Sequence, residues 1–198
     1  MMQAEQEIRQ GRWQIAIARA DCILLNTPIR VWLGYEPASR GSKGYVKIIQ
    51  RAMEIWQKAM DDETLFTLVD NPEQADVRIG LVEKIQCGES YSGGRISWDR
   101  KIVCTEEGGF ETQYRAEITL ALSGPRGRRL NAAQMIHAAA HELGHVLGLQ
   151  DSFDVGPIMG PLDLRRPARK PSVKETLALK EVRALANDIR RQAFAIVL

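Results

Sequence analysis

All three histidines of this 198-residue chain fall within HAAAHELGHVLGLQD, residues 137–151, spaced four apart, and the stretch closes on an aspartate. Imidazole nitrogen and carboxylate oxygen are donors that suit zinc. On a helix turning about 100° and rising about 1.5 Å per residue, His145 lies about 40° round from His141 and one turn along, so both rings can meet one ion. Glu142 lies about 100° to the side, where its carboxylate falls short of the ion and can instead hold a water bound to it. Zinc lowers the pKa of such a water to about 7. A carboxylate beside it can take the proton as the water attacks a carbonyl, and then pass it to the leaving amine. That is the chemistry of peptide hydrolysis.

Two further residues sharpen this reading. Gly148 stands three positions after His145, where a helix without a side chain can turn sharply and bring the following residues back toward the ion. Asp151 then arrives as an oxygen donor. Two histidines and one carboxylate leave a fourth position open, the arrangement of a catalytic site and not of a structural one. His137 sits one turn before His141, on the side away from Glu142. The helix rises about 12 Å from His137 to His145, whereas donors on one tetrahedral zinc lie roughly 3.4 Å apart, so one rigid helix should not supply all three. His137 is expected to be packed and hydrogen-bonded, with a role behind the ligands as the sharper reading.

The rest of the composition excludes more than it suggests. With 27 Lys+Arg against 25 Asp+Glu, the net charge of +2 gives no argument for nucleic acid or an anionic membrane as partner. No apolar run approaches the roughly 20 residues of a membrane span, and the opening MMQAEQEIRQGRW is polar where a secretion leader would be apolar. Cys22, Cys87 and Cys104 form no CxxC, so a thiolate metal site is not expected; a Cys87–Cys104 bridge stays open.

These residues need elements to position them. Residues 3–25 read as a helix, although the apolar run Cys22-Ile23-Leu24-Leu25 suits a strand equally well. Residues 29–33 alternate like a half-buried strand, and the Pro- and Gly-bearing segment 37–44 punctuates the chain before a helical pattern over 45–60. Strand signals follow at 64–69 and 77–82, separated by the turn Asp70-Asn71-Pro72. Residues 86–109 suggest short strands joined by surface loops, and residues 116–122 alternate as the last strand before the histidines. Asn131 with Gln134 has the spacing of a capping box that opens the histidine helix. Ser172 with Glu175 has the same spacing and opens a final amphipathic helix to about Phe194. The basic run 165–170 reads as a solvated linker.

HELGHVLGLQD followed by PIMGP resembles the metzincin metallopeptidases, most closely the matrixins. That family carries His-Glu-x-x-His-x-x-Gly-x-x-His/Asp and then a tight turn whose methionine lies under the zinc. Met159 stands eight residues after Asp151, and Met159-Gly160-Pro161 looks like the family's Met-x-Pro. The resemblance implies an α+β, zincin-like catalytic domain: a twisted mixed sheet, a backing helix, the active-site helix, a Met-turn and a C-terminal helix. It divides the chain into an N-terminal extension, 1–28, and a catalytic domain, 29–198, whose lower part begins at 149. It implies one catalytic zinc on His141, His145 and Asp151, with Glu142 as base and acid, acting on protein or peptide substrates. It also implies a secreted enzyme, in contrast to the polar opening, and the expected state is a monomer.

By the same resemblance, the strand before the active-site helix pairs with the substrate backbone, which singles out Ile118 and Leu120. The chain after the Met-turn, Pro161 and Leu162, walls the pocket for the residue following the cut. This chain departs from the pattern in places. Asp151 replaces the usual third histidine, as in snapalysin-type members, and should acidify the bound water less than an imidazole would. No histidine remains for a second zinc, so any second metal should be calcium on oxygen ligands. No cysteine lies in a motif resembling the inhibitory cysteine switch. Pro161 and Asp163 occupy places where relatives often carry a tyrosine. The alternative function is a zinc-binding interaction domain without catalysis.

Overall fold

The computed structural model describes residues 2–25, 27–34, 42–87, 90–106 and 109–197. Alternation builds its sheet. In β1 (Ile29–Gly34), Ile29, Val31 and Leu33 are buried while Arg30 is exposed, so one face turns to the core. β2 (Phe66–Leu68) and β3 (Val77–Val82) flank β1 in parallel, and β7 (Phe110–Ala121) lies parallel to β3. β6 (Gly94–Cys104) pairs antiparallel with β7 and completes the order β2-β1-β3-β7-β6. A small hairpin of β4 (Ile85–Cys87) and β5 (Ser90–Ser92) precedes β6.

Two helices cover the apolar face. α3 (Ser42–Met60) carries Ile49, Met53 and Trp56 into the core at three- and four-residue steps, and α4 (Ala132–Val146) brings the histidines. Trp56 is fully buried, and its indole N–H donates to Ala140 O at 2.7 Å, fastening α3 to α4 just before His141. α5 (Val173–Val197) closes the chain. The α+β expectation therefore holds: a mostly parallel mixed sheet, backing helix, active-site helix and C-terminal helix.

The middle of the chain differs from its sequence reading. Residues 94–104 and 110–121 pair as one long β6–β7 ladder instead of short pieces, and β7 starts at Phe110, not near 116. Where the hairpin outruns its neighbours, β7 still alternates in burial, with Phe110, Thr112 and Tyr114 half-buried and Glu111, Gln113 and Arg115 exposed, but polar Thr112 on the inner face weakens the apolar pattern in sequence. The N-terminal segment breaks into α1 (Met2–Arg9) and α2 (Trp13–Leu24), with Cys22–Leu24 helical. Ala4, Ala16, Ala20 and Leu24 pack on Ala186 and Ile189 of α5, a second small core. Cys22 and Cys104 are free, so the Cys87–Cys104 bridge does not form. The punctuating residues 37–41 lie outside the described residues.

Candidate active site

The site grows from the two ends of α4. At the N-terminus Asn131 Oδ1 accepts from Gln134 N–H at 3.0 Å and Gln134 Oε1 accepts from Asn131 N–H at 2.8 Å, the reciprocal cap that the sequence spelled. At the C-terminus Leu149 N–H donates to Gly144 O and Gly148 N–H to His145 O, both at 3.0 Å. This is a Schellman ending, and its left-handed residue is Gly148 at φ +98°. The turn sends the chain back across the helix, and Asp151 comes to face the histidines.

Both rings are held in one tautomer. His141 Nδ1–H donates to Ile158 O and His145 Nδ1–H to Leu149 O, each at 2.9 Å. A carbonyl only accepts, so in the neutral ring the proton sits on Nδ1 and Nε2 is the nitrogen free to bind a metal. Those Nε2 atoms lie 3.1 and 3.3 Å from Asp151 Oδ1. Burial, above all, holds the His141 imidazole below the usual histidine range, against the opposing pull of the Ile158 carbonyl and of Asp151. Two imidazole nitrogens and a carboxylate oxygen thus converge. All three lie within 4.8 Å of one another, and the two distances to Asp151 come close to the roughly 3.4 Å between donors on a tetrahedral zinc. His141, His145 and Asp151 are the one such cluster among the described residues, and the calcium expectation finds no support.

Glu142 points off this line, as its wheel position requires, and is 5% exposed. Burial, with the Asp151 charge adding, pushes its carboxyl up to about 8. It lies against the first residue of β6: a methyl at Gly94 would stand 2.6 Å from Glu142 Oε1 and 2.8 Å from its Cγ. Sequence reasoning missed Gly94, and its only trace there is the pair Gly93-Gly94 ahead of an alternating run.

Met159 packs its sulfur against the α4 backbone at Gly144, beside Trp56. Its own backbone is tied twice. Met159 N–H donates to Glu175 Oε1 at 2.6 Å, and Met159 O accepts from Ser152 N–H at 2.7 Å. Glu175 is also the carboxylate of the α5 capping box: its Oε2 accepts from Ser172 N–H at 2.5 Å, and its N–H donates to Ser172 Oγ at 3.2 Å. One buried side chain therefore fixes both a helix start and the Met-turn.

His137 stays out of the cluster, its ring centroid 6.4 Å from that of His141. It is 2% exposed, and its Nδ1 accepts from Ala168 N–H at 2.8 Å. Pro161 and Leu162 line a cleft of about 540 Å³ together with Tyr91, His137, Glu142 and Asp151. A larger hollow of about 780 Å³, around Arg30, Asp76 and Tyr114, shares no residue with it.

The expectation for Ile118 and Leu120 is corrected. Both are 1% exposed, in the core, and around them β7 has each edge occupied, by β3 and by β6, so this part of the strand has no backbone left to offer a substrate. The strand at the sheet edge is β6, whose start at Gly94 adjoins Glu142.

A family model described as Matrixin matches residues 33–175, more than two thirds of the chain. The chain belongs to the matrixin family, with a domain of the zinc metallopeptidase type. No curated protein matches it.

Proposed function

We propose that the protein is a zinc-dependent endopeptidase in which His141, His145 and Asp151 hold one zinc ion and Glu142 handles the proton. The observation that carries the reading is the convergence of two imidazole lone pairs and a carboxylate oxygen, with both Nδ1 protons already spent on carbonyls. Bound there, zinc polarises the scissile carbonyl and acidifies a water.

The chain's own residues do the rest. The β6 edge at its Gly94 end pairs with an extended substrate main chain, which aligns a peptide beside Glu142. The ionised form of Glu142 is favoured by a cation held on the neighbouring ligands, and its carboxylate oxygen then takes a proton from the attacking water and returns it to the amine that leaves. Its seclusion against Gly94 limits where that carboxylate can swing, so the proton moves along one short path. Pro161 and Leu162 wall the space for the residue after the cut. Met159, pinned through Glu175, supports the floor below α4.

The test is cleavage of an unfolded protein by native, chelator-treated and zinc-restored enzyme. Activity should vanish on chelation and return with zinc. Undiminished cleavage by metal-free protein would remove the proposal.

A further inference from the structure

We infer that Phe153 binds an apolar substrate side chain upstream of the scissile bond, so that the peptides taken by this site carry a large aliphatic or aromatic residue shortly before the cut; this rests on the peptidase reading above. Phe153 is 100% exposed, yet it lines the same cleft as His141, Glu142 and Asp151. An aromatic ring gains more from burial than almost any other side chain, and this one gains nothing until something covers it. The backbone that carries it is fixed on both sides. Ser152 N–H donates to Met159 O at 2.7 Å, and Asp154 N–H donates to Ser152 Oγ at 3.1 Å. Gly160 lies so close to the Asp154 carbonyl that a methyl there would collide with it. The Met-turn therefore holds the ring out at the cleft, which spares a bound peptide the cost of ordering the loop.

The fold sets which side of the cut the ring serves. The chain after Met159 runs along the first half of α4: Gln134 Nε2–H donates to Leu164 O at 2.7 Å, Ala168 N–H donates to His137 Nδ1 at 2.8 Å, and a methyl on Gly93 would stand 3.0 Å from Leu162 Cδ2 and 3.4 Å from Ala138 Cβ. Phe153 instead follows Asp151, which returns from the C-terminal end of α4 to face His145 and His141. Its neighbour Ser152 is bonded to Met159, whose sulfur packs at Gly144, again in the second half of the helix. The ligand cluster thus stands between the Leu162 wall and the Phe153 ring. A peptide that crosses the cluster with the residue after the cut against Pro161 and Leu162 lays the residues before the cut toward Phe153. An apolar side chain there covers the ring, whereas a polar or charged one gives up water for a surface that offers it no hydrogen bond. Val155 stands on the same turn and is exposed too, but it lies outside the cleft lining and should not share the role.

The experiment uses the full chain with zinc bound and peptides in which leucine, phenylalanine, serine or aspartate occupies in turn each of the three positions before the scissile bond. At one of these positions the leucine or phenylalanine peptide should be cleaved about tenfold better than the serine peptide in kcat/KM. Phe153→Ser, a change at an exposed site that leaves the core alone, should bring that ratio close to one. Phe153→Leu should keep part of it, and Val155→Ser should leave it intact. The absence of any upstream preference for an apolar residue in the native protein overturns the inference, and so does a preference that survives in Phe153→Ser. A loss shared equally by all the peptides overturns it too, because that marks a disturbed loop and not a contact, as does an equal effect of Val155→Ser. The same peptides are titrated calorimetrically into zinc-loaded Glu142→Ala protein with and without Phe153→Ser, which reads recognition without turnover. If no peptide is cleaved with zinc bound, the peptidase reading falls, while tighter binding of the leucine peptide that depends on Phe153 would still support the contact and equal binding of the leucine and serine peptides would overturn it.

Discussion

At the scale of single residues, the site works by spending protons in the right places. Ile158 and Leu149 carbonyls take the Nδ1 hydrogens of His141 and His145 and leave both Nε2 atoms facing Asp151. On the proposed ligand set, removing the carboxylate leaves two ligands on one helix. Zinc content after dialysis should therefore collapse in Asp151→Ala and survive largely in His137→Ala; the reverse pattern would refute the geometry. Gly94 gives a second prediction. A methyl there displaces Glu142 without touching a ligand, so Gly94→Ala should lower kcat about 10²-fold while zinc remains stoichiometric. The histidines and Asp151 were legible because four-residue steps and a glycine turn are local geometry. Gly94 was not, because its role depends on a strand that meets α4 only in the folded molecule.

At the scale of elements, α4 and α5 are each fixed by caps written in the chain. Asn131 and Gln134, and Ser172 and Glu175, stand at a spacing that makes the cap almost irrespective of tertiary context. Glu175 does more than cap, since it also holds the Met159 backbone, and nothing in its spacing announces that. Glu175→Ala removes an acceptor from two buried or half-buried N–H groups. It should cost about 2–4 kcal/mol in urea unfolding, against about 1 kcal/mol for Asn131→Ala, which loses a cap alone. Equal losses would mean that the Met159 tie contributes nothing. The sheet was legible where strands alternate over a core, as in β1 and β3. It was misread at its edge: the last strand in sequence before α4, β7, is an interior strand in space, and the earlier β6 takes the rim. Strand order in a sheet is a product of topology, which no local pattern carries.

At the scale of the molecule, two apolar bodies meet. The main core joins α3, α4 and the sheet, and includes Met159, while a smaller one joins α1 and α2 to α5. α2 reaches the far end of the hairpin too, where Thr112 Oγ donates to Ala18 O at 3.0 Å, and Arg190 pairs with Asp21 at 3.1 Å. Ala186 is fully buried between these helices. Ala186→Arg should therefore destabilise the protein by about 3 kcal/mol in thermal or urea unfolding, with zinc affinity of the folded form unchanged. The central claim concerns the main body: a metal centre whose neighbouring carboxylate moves the proton. Its most direct test is the rate of peptide cleavage by Glu142→Ala relative to the native protein at matched, full zinc occupancy. The account predicts a loss of about 10²- to 10⁴-fold with zinc retained; equal rates in the two proteins would contradict it.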